Sequence, residues 1–234
     1  MATTTVSRPP LARKTTVALK LLMAATGLIF AGFVLLHMYG NLKVLAGEEA
    51  FNSYAEHLRT IGEPMLPYGG VLWILRIVLI LAVIGHVDAA IMLWTRSGGA
   101  RSTKYALAKQ ALTSKVMRWG GVTLLLFIVW HLVQFTVPKV NVNPDVQGPD
   151  VLHNPYQLVV ASFQVWWVTA IYVLAMIALA LHLSHGVFSA CQTFGWTGNA
   201  AKRMRAKGVA HLVAALVVVG FLIPPLSIQF GLVK

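Results

Sequence analysis

The sequence predicts an all-α integral membrane protein built from five transmembrane helices. Of its 234 residues, 57% are hydrophobic and only 11% are charged, whereas soluble domains usually carry about 25% charged residues. Five runs of mostly apolar residues each reach the roughly 20 residues that an α-helix needs to cross about 30 Å of hydrocarbon. No composition shift or repeat marks a second domain, so residues 1–234 are expected to form a single membrane-anchor domain.

The five predicted spans carry few charges. The first is uncharged between Lys20 and Lys43, and it is too long for the apolar core of a cleaved signal peptide, which has about 7–15 residues. The second is interrupted only by Arg76 and Asp88. The spans are expected at about 19–42, 71–95, 119–138, 162–190 and 208–230.

Charges in the connections predict the orientation. Fourteen of the nineteen Lys and Arg residues lie in the N-terminal tail through Lys20 and in the segments 96–118 and 202–207, which contain no acid. The other two connections hold six carboxylates: Glu48, Glu49, Glu56, Glu63, Asp145 and Asp150. The positive-inside rule then places the N-terminus in the cytoplasm and the C-terminus outside, across a bacterial inner membrane. The net charge of +12 is therefore expected to attract lipid headgroups or an acidic protein, and no nucleic acid.

The two acidic connections differ in character. The apolar spacing of GEEAFNSYAEHLRTIGEP, residues 47–64, predicts a short interfacial helix that ends before Pro64 and Pro67. Residues 138–155, PKVNVNPDVQGPDVLHNP, are rich in proline and asparagine and predict a loop.

Histidines lie well inside the first four spans. A rise of about 1.5 Å per residue places His37 and His131 in the outer half of the bilayer and His86 and His182 in the inner half. His185, about one turn beyond His182, is a fifth candidate. Ionisable residues inside a membrane are costly, so a functional role is the default expectation.

Matching depth predicts two pairs. A haem iron held by two imidazoles needs one histidine on each face, supplied by two helices at the same depth. His37 with His131 and His86 with His182 meet this condition, so we expect a five-helix bundle around two stacked haems with these four residues as iron ligands. The alternatives are isolated helix–helix hydrogen bonds and a proton-relay transporter. A transporter would usually add acids along its path, and Asp88 is the only carboxylate in a span.

These features resemble the cytochrome b membrane-anchor subunits of succinate dehydrogenase and fumarate reductase, in the single-chain, five-helix, di-haem type. The resemblance covers nearly the whole chain. It rests on the four histidines, on GHVDAAIMLWTR closing the second helix and on HLSHGVFSACQTFGW in the fourth. The family's H-x-x-x-G pattern matches His182 to Gly186, which implies that His182 is a ligand. His185 stays open as an alternative ligand or as a hydrogen-bond partner of a haem propionate.

The resemblance implies a subunit of succinate dehydrogenase that passes electrons through two b haems to a membrane quinone, with menaquinone expected. FAD and the succinate site would lie on a flavoprotein subunit, and the iron–sulfur clusters on a second soluble subunit, both on the cytoplasmic face. The lone Cys191 fits this division, because a cluster needs about four thiolates. The alternatives are the anchor of a quinol:fumarate reductase, a di-haem cytochrome b of another dehydrogenase or a hydrogenase, a transporter and a structural anchor. A higher oligomer of the complex is left open.

Two positions are open for the quinone. Near the outer haem, Glu63 or Glu56 would exchange protons with the quinone, and Arg76 would contact a propionate or a quinone oxygen. The alternative for Arg76 is that it snorkels to the outer surface. Near the inner surface, Lys20 and Thr26 are the candidate contacts. No residue of this chain is expected to act on succinate.

Overall fold

The computed structural model describes residues 15–99, 108–137, 139–146 and 148–234, and within these ranges the regular elements are all helical. The α-helices, numbered in chain order, are α1 Thr16–Leu42, α2 Glu48–Thr60, α3 Gly70–Gly99, α4 Ala108–Phe135, α5 Pro149–His153, α6 Pro155–Phe163, α7 Trp166–Thr193 and α8 Ala200–Gln229. Five of these, α1, α3, α4, α7 and α8, contain stretches long and apolar enough to cross a membrane. The predicted all-α membrane fold with five such helices is confirmed.

The last membrane helix begins before the predicted span 208–230. Asn199 is its N-cap residue and accepts a hydrogen bond from the backbone N–H of Lys202 at 2.8 Å, the usual role of asparagine at this position. The basic segment 202–207, interpreted above as a connection, therefore lies in the first turns of α8. Apolarity marks only the part of a helix inside the hydrocarbon, so it underestimates a helix that continues into water.

The third and fourth spans also differ from their predicted bounds. Helix α4 begins at Ala108 rather than near 119 and ends at Phe135; Pro138 lies outside the described residues. The predicted span 162–190 is divided, because α6 ends at Phe163 and α7 begins at Trp166. The membrane helix is therefore α7 alone.

The segment predicted as a loop, 138–155, is partly helical. It contains α5, and α6 begins at its last residue. Pro149 and Pro155 start these helices, where the missing N–H of proline would have no intrahelical partner in any case. Asn154 caps α6 by accepting a hydrogen bond from the backbone N–H of Gln157 at 3.2 Å. The interfacial helix predicted in 47–64 is present as α2.

The four histidine-bearing helices form one bundle. Helix α1 packs against α3 and α7, and α4 packs against α7, so their order around the bundle is α3, α1, α7, α4. Helix α1 therefore lies diagonally opposite α4, and α3 lies diagonally opposite α7. In the part of the chain that the structure describes, neither diagonal pair packs backbone to backbone along its length. Helix α8 packs outside this bundle, against α7 and α1.

Helix α8 lies close to α1 at Gly220. A Cβ atom at this position would lie 2.3 Å from Sδ of Met38, which is far inside contact distance. A small apolar core that includes Ala31 and Val217 fills the same interface. Met38 is adjacent in sequence to His37, so this close approach lies beside one of the predicted iron ligands.

The two ends of the bundle differ in charge. Helices α1, α4 and α8 end, and α3 and α7 begin, at the end that carries the six carboxylates of the connections, which we call the acidic end. The opposite end, which carries Lys20, Arg118 and the segment 202–207, is the basic end. Helices α2, α5 and α6 lie at the acidic end, where Asn52 Nδ2 donates to Asn154 Oδ1 at 2.9 Å.

Large apolar side chains cover the outside of the membrane helices. On α3, Leu81 is 64% exposed and Ile84 is 60% exposed, and on α4 Leu126 is 67% exposed. Contiguous apolar surface of this kind marks a face that contacts lipid or another protein. The five helices therefore present a lipid-facing surface.

Candidate functional site

The structure brings His37 and His131 together. They lie on the diagonal helices α1 and α4, and their ring centroids are 5.7 Å apart with an interplanar angle of 80°. Both residues lie near the ends of their helices at the acidic end. This is one of the two pairs that depth in the bilayer indicated.

His86 and His182 form the second pair, on the other diagonal. Their ring centroids are 6.3 Å apart with an interplanar angle of 57°. The pair joins α3 to α7 and lies closer to the basic end than the first pair. Each diagonal of the bundle is thus bridged by two imidazoles.

Both centroid distances suit a metal between the rings. Two imidazoles on opposite faces of one metal ion, each with a nitrogen–metal bond of about 2 Å, have ring centroids about 6 Å apart. Rotation of either ring about its nitrogen–metal bond changes the interplanar angle without changing the ligation. The two different interplanar angles are therefore both compatible with ligation.

The number of donors identifies the kind of metal group that would fit. A lone metal ion usually takes about four ligands, most of them from the protein, but the described residues contain no group of three or more His, Cys, Asp or Glu that could hold one. An iron porphyrin brings four nitrogens of its own and needs only axial ligands, which histidine commonly supplies. The residues present therefore fit two haems, each between one pair of histidines.

Two glycines lie beside the imidazoles of the basic-end pair and give the spacing between the two pairs. A Cβ atom at Gly27 of α1 would lie 3.5 Å from Cε1 of His86, and one at Gly121 of α4 would lie 3.6 Å from Cε1 of His182. Each glycine precedes the histidine of its own helix, His37 or His131, by ten residues. At about 1.5 Å of rise per residue, both helices place the two pairs about 15 Å apart along the bundle axis.

Sequence reasoning missed this relation, although its signal is visible. Residues 27–37 and 121–131 both begin with glycine and end with histidine. The repeated spacing indicates which residue of one helix faces the histidine of another. This spacing can be interpreted only when the neighbouring helices are known.

Hydrogen bonds hold two of the imidazoles from behind. Nδ1 of His131 lies 3.1 Å from the Tyr172 hydroxyl, and Nδ1 of His86 lies 3.1 Å from the Thr26 hydroxyl. Thr26 also donates to the Leu22 carbonyl oxygen at 2.7 Å, so its oxygen accepts the Nδ1–H of His86. In this tautomer Nε2 carries a free lone pair, as a metal ligand must.

The other two imidazoles lack such a partner. Within the described ranges, Nδ1 of His182 is buried without a hydrogen-bond partner, and no side-chain hydrogen bond of His37 is found. Phe33 instead stacks on His37 with ring centroids 5.2 Å apart and an interplanar angle of 11°. An unpaired buried polar atom costs about 1–3 kcal/mol, and no described residue offsets this cost at Nδ1 of His182.

Aromatic rings surround the pair at the acidic end. Phe221 lies 5.7 Å from His37, and Phe127 and Phe135 lie 6.0 and 5.5 Å from His131, measured between ring centroids. These rings provide an apolar lining that excludes water. In such surroundings an imidazole is favoured in its neutral form, the form that ligates metals.

His185 and Arg76, two further predicted residues, are exposed on the membrane helices. His185 is exposed and makes no described ring contact with His86, which faces His182 instead. Arg76 is exposed, and its guanidinium lies 4.8 Å from the Trp73 ring centroid. Arg76 is ten residues from His86 toward the acidic end, which by helix rise is the level of the other histidine pair.

The two predicted carboxylates lie at the acidic end. Glu63 is exposed in the turn after α2. Glu56 accepts a hydrogen bond from the Tyr68 hydroxyl at 2.9 Å and lies 3.8 Å from the Arg59 guanidinium. Partial desolvation and the neighbouring Glu56 carboxylate raise the pKa of the Tyr68 phenol.

Glu56, Arg59 and Tyr68 line an open surface cavity with a volume of about 690 Å³, together with Asp150 and Asn154. In the described structure, the hydrogen bonds and ion pairs of Glu56 join it to these neighbours and not to an imidazole of the bundle. The cavity is thus a polar surface feature above the helices. No hydrogen bond among the described residues connects the cavity residues to the paired histidines.

Comparison with protein-family models, with curated proteins and with solved structures finds no match to this chain. Fold and site together define a multi-pass helical membrane protein with two histidine pairs on the diagonals of a four-helix bundle.

Proposed function

We propose that this chain is the di-haem cytochrome b membrane anchor of a succinate:quinone oxidoreductase, passing electrons from an iron–sulfur subunit through two b haems to a membrane quinone. The observation that carries the proposal is the pair of diagonal imidazole contacts, with ring centroids 5.7 and 6.3 Å apart. In each pair the two imidazoles lie at a distance that suits haem ligation, but they are not hydrogen-bonded to each other. Helix–helix hydrogen bonds between the histidines therefore do not explain the two pairs.

The residues of the chain have distinct roles in this proposal. His37 and His131 hold one haem and His86 and His182 hold the other, each through Nε2. Thr26 fixes the tautomer of His86 by accepting its Nδ1–H. That hydroxyl is therefore already occupied, which weakens Thr26 as a quinone contact.

The basic end supports a cytoplasmic partner. Lys202, Arg203, Arg205 and Lys207 are all exposed on the first turns of α8, and the positive-inside rule favours the cytoplasm for this end. Complementary charge speeds and orients association, so an acidic face of the iron–sulfur subunit is expected here. The flavoprotein with its FAD would sit on that subunit, as the resemblance implies.

The acidic end is the better-supported side for the quinone. It holds the aromatic surroundings of His37 and His131, and it carries Glu63 and Glu56 within reach of water. Those carboxylates would exchange protons with the quinone, and menaquinone is the expected species from the resemblance. An anchor of this kind also serves a quinol:fumarate reductase, so the physiological direction has to be measured.

Purification from native membranes through a tag on this chain tests the proposal. We expect a flavoprotein and an iron–sulfur protein to co-purify, and succinate to reduce added menaquinone analogue in the purified complex. Fumarate reduction by quinol at a much higher rate than succinate oxidation would favour the fumarate reductase. A chain that purifies without either soluble protein and without haem absorption would reject both, and a histidine-bearing transporter would then be the better interpretation.

A further inference from the structure

Two buried polar side chains, joined by a hydrogen bond, lie behind one ligand of the acidic-end pair. Nδ1 of His131 lies 3.1 Å from the Tyr172 hydroxyl, and that hydroxyl donates to Oε1 of Gln134 at 3.0 Å. Gln134 is fully buried at 0% exposure, and Tyr172 is 8% exposed. Neither Tyr172 nor Gln134 stands out in the sequence as a site residue.

The orientation of the Gln134 amide, with Oε1 toward Tyr172 and Nε2 without a partner among the described residues, gives the direction of this hydrogen-bond chain. A tyrosine hydroxyl has one proton, and here it is donated to the Gln134 carbonyl oxygen. The Tyr172 oxygen can then only accept a hydrogen bond from His131. The proton in that hydrogen bond therefore belongs to Nδ1 of His131. Nε2 of His131 is left with a free lone pair, on a ring whose centroid lies 5.7 Å from that of His37.

The reverse direction is incompatible with ligation. If Tyr172 donated its proton to Nδ1 of His131, the ring proton would sit on Nε2, and a protonated nitrogen cannot bind a metal. Gln134 prevents this by accepting the Tyr172 proton. Its amide oxygen thus selects the tautomer of an imidazole that it does not touch.

The second histidine pair has no equivalent relay. The partner of His86 is Thr26, whose own proton goes directly to the Leu22 backbone carbonyl. Nδ1 of His182 has no partner within the described residues. A perturbation of Tyr172 or Gln134 should therefore act on one pair alone.

We propose that Tyr172 and Gln134 are positioning residues that hold His131 as an Nδ1–H donor and thereby lower the reduction potential of the haem at the acidic end. This inference rests on the proposed function. An acceptor behind a ligating imidazole raises its basicity, and a more basic axial ligand stabilises ferric over ferrous iron. Donation by Tyr172 to Gln134 makes the Tyr172 oxygen a stronger acceptor, since linked hydrogen bonds polarise one another.

A redox titration of both haems in the purified complex tests the inference. In Tyr172→Phe we expect one of the two waves to move to higher potential, with a change of about fivefold in its reduced-to-oxidised ratio, or about 41 mV for a one-electron couple. The other wave should keep its position. A merely structural role for the hydroxyl would not move one potential selectively.

Gln134 supplies a second pair of variants in case Tyr172→Phe fails to assemble. Gln134→Met keeps the volume but removes the acceptor, so it should raise the same wave or abolish that haem's absorption. Gln134→Glu keeps the acceptor, so its wave should lie at or below the wild-type position.

Tyr156→Phe is the matched control. It removes a hydroxyl from the same apolar cluster, and that hydroxyl bonds to the Lys234 carbonyl at 3.0 Å rather than to a histidine. Both waves should stay in place in this variant. The inference is overturned if two haems are present but Tyr172→Phe and Gln134→Met leave both waves unchanged or move them equally. A complex without haem would instead overturn the proposed function itself.

Discussion

Gly27 faces the imidazole of His86 across the α1–α3 interface, so closely that a Cβ atom at Gly27 would lie 3.5 Å from Cε1 of that ring. This is ordinary van der Waals distance, and it leaves room for a methyl group but not for a branched side chain. Gly121 stands in the same relation to His182, at 3.6 Å. Both imidazoles of the basic-end pair are therefore supported by a glycine of a neighbouring helix.

Replacing either glycine by leucine should displace the facing imidazole. Gly27→Leu and Gly121→Leu are each expected to lose most of the haem at the basic-end pair, because the added atoms occupy space beside the ring. Leucine favours helix over glycine by roughly 0.5–1 kcal/mol, so the helix itself should not suffer. Haem content and the reduced-minus-oxidised spectrum of the purified chain measure the effect.

Two other glycines serve as matched controls. A Cβ atom at Gly32 of α1 or at Gly120 of α4 would meet nothing within 4 Å. Gly32→Leu and Gly120→Leu should therefore retain both haems. If they lose as much haem as the substitutions at 27 and 121, contact with the imidazoles is not the reason.

His182 rather than His185 should be required for haem. His182 faces His86, whereas His185 is exposed on the same helix. His182→Ala is expected to remove one of two spectral components, and His185→Ala to leave both. Retention of both components in His182→Ala together with loss of one in His185→Ala would show that the ring facing His86 here is not the ligand.

The two histidine pairs could be predicted from the residues, but the contacts that support them could not. Counting residues from the ends of apolar runs gives depth, and depth paired His37 with His131 and His86 with His182. It does not give the rotation of a helix about its axis, which decides that Tyr172 reaches His131. Gln134 and Tyr172 were for this reason not recognised as part of the site.

The end of a helix was predictable only where it matches the end of an apolar run in the sequence. Helix α8 continues through the basic residues 202–207 because Asn199 caps it, and the charged turn carries no hydrophobic signal. The start of α6 was predictable in principle, because Asn154 followed by Pro155 is a common combination of an N-cap and a first helical residue. Proline and asparagine also dominate loops, so composition alone predicts a loop here.

Gly220→Ala should weaken the packing of α8 on α1. Its new Cβ would lie 2.3 Å from Sδ of Met38, and overpacking of this kind typically costs about 1–3 kcal/mol. We expect a lower midpoint temperature of thermal unfolding in detergent. Gly208→Ala on the same helix meets nothing within 4 Å and should not lower it.

A second substitution identifies the cause. Met38→Ala removes the atoms that the new methyl group meets, so the double variant Met38→Ala, Gly220→Ala should recover part of the lost stability. A double variant less stable than the sum of the two single effects would argue against a direct clash.

Glu63→Gln should impair quinone turnover without changing the haems. A positioned acid or base typically contributes about 100-fold or more to a rate, so succinate-driven quinone reduction should fall by roughly 100-fold while both haem spectra persist. Glu49→Gln, another carboxylate of the same connection, should retain the wild-type rate. Equal rates in Glu63→Gln and the wild type would remove Glu63 from the proton path and leave Glu56 as the candidate.

The haem content of the purified chain, measured as haem b per polypeptide in the wild type and in two single variants, tests the central claim most directly. The account predicts two haems in the wild type, one in His37→Ala and one in His86→Ala, with a different spectral component missing from each variant. A wild-type chain with one haem or none, or a His37→Ala variant that keeps both, would contradict it.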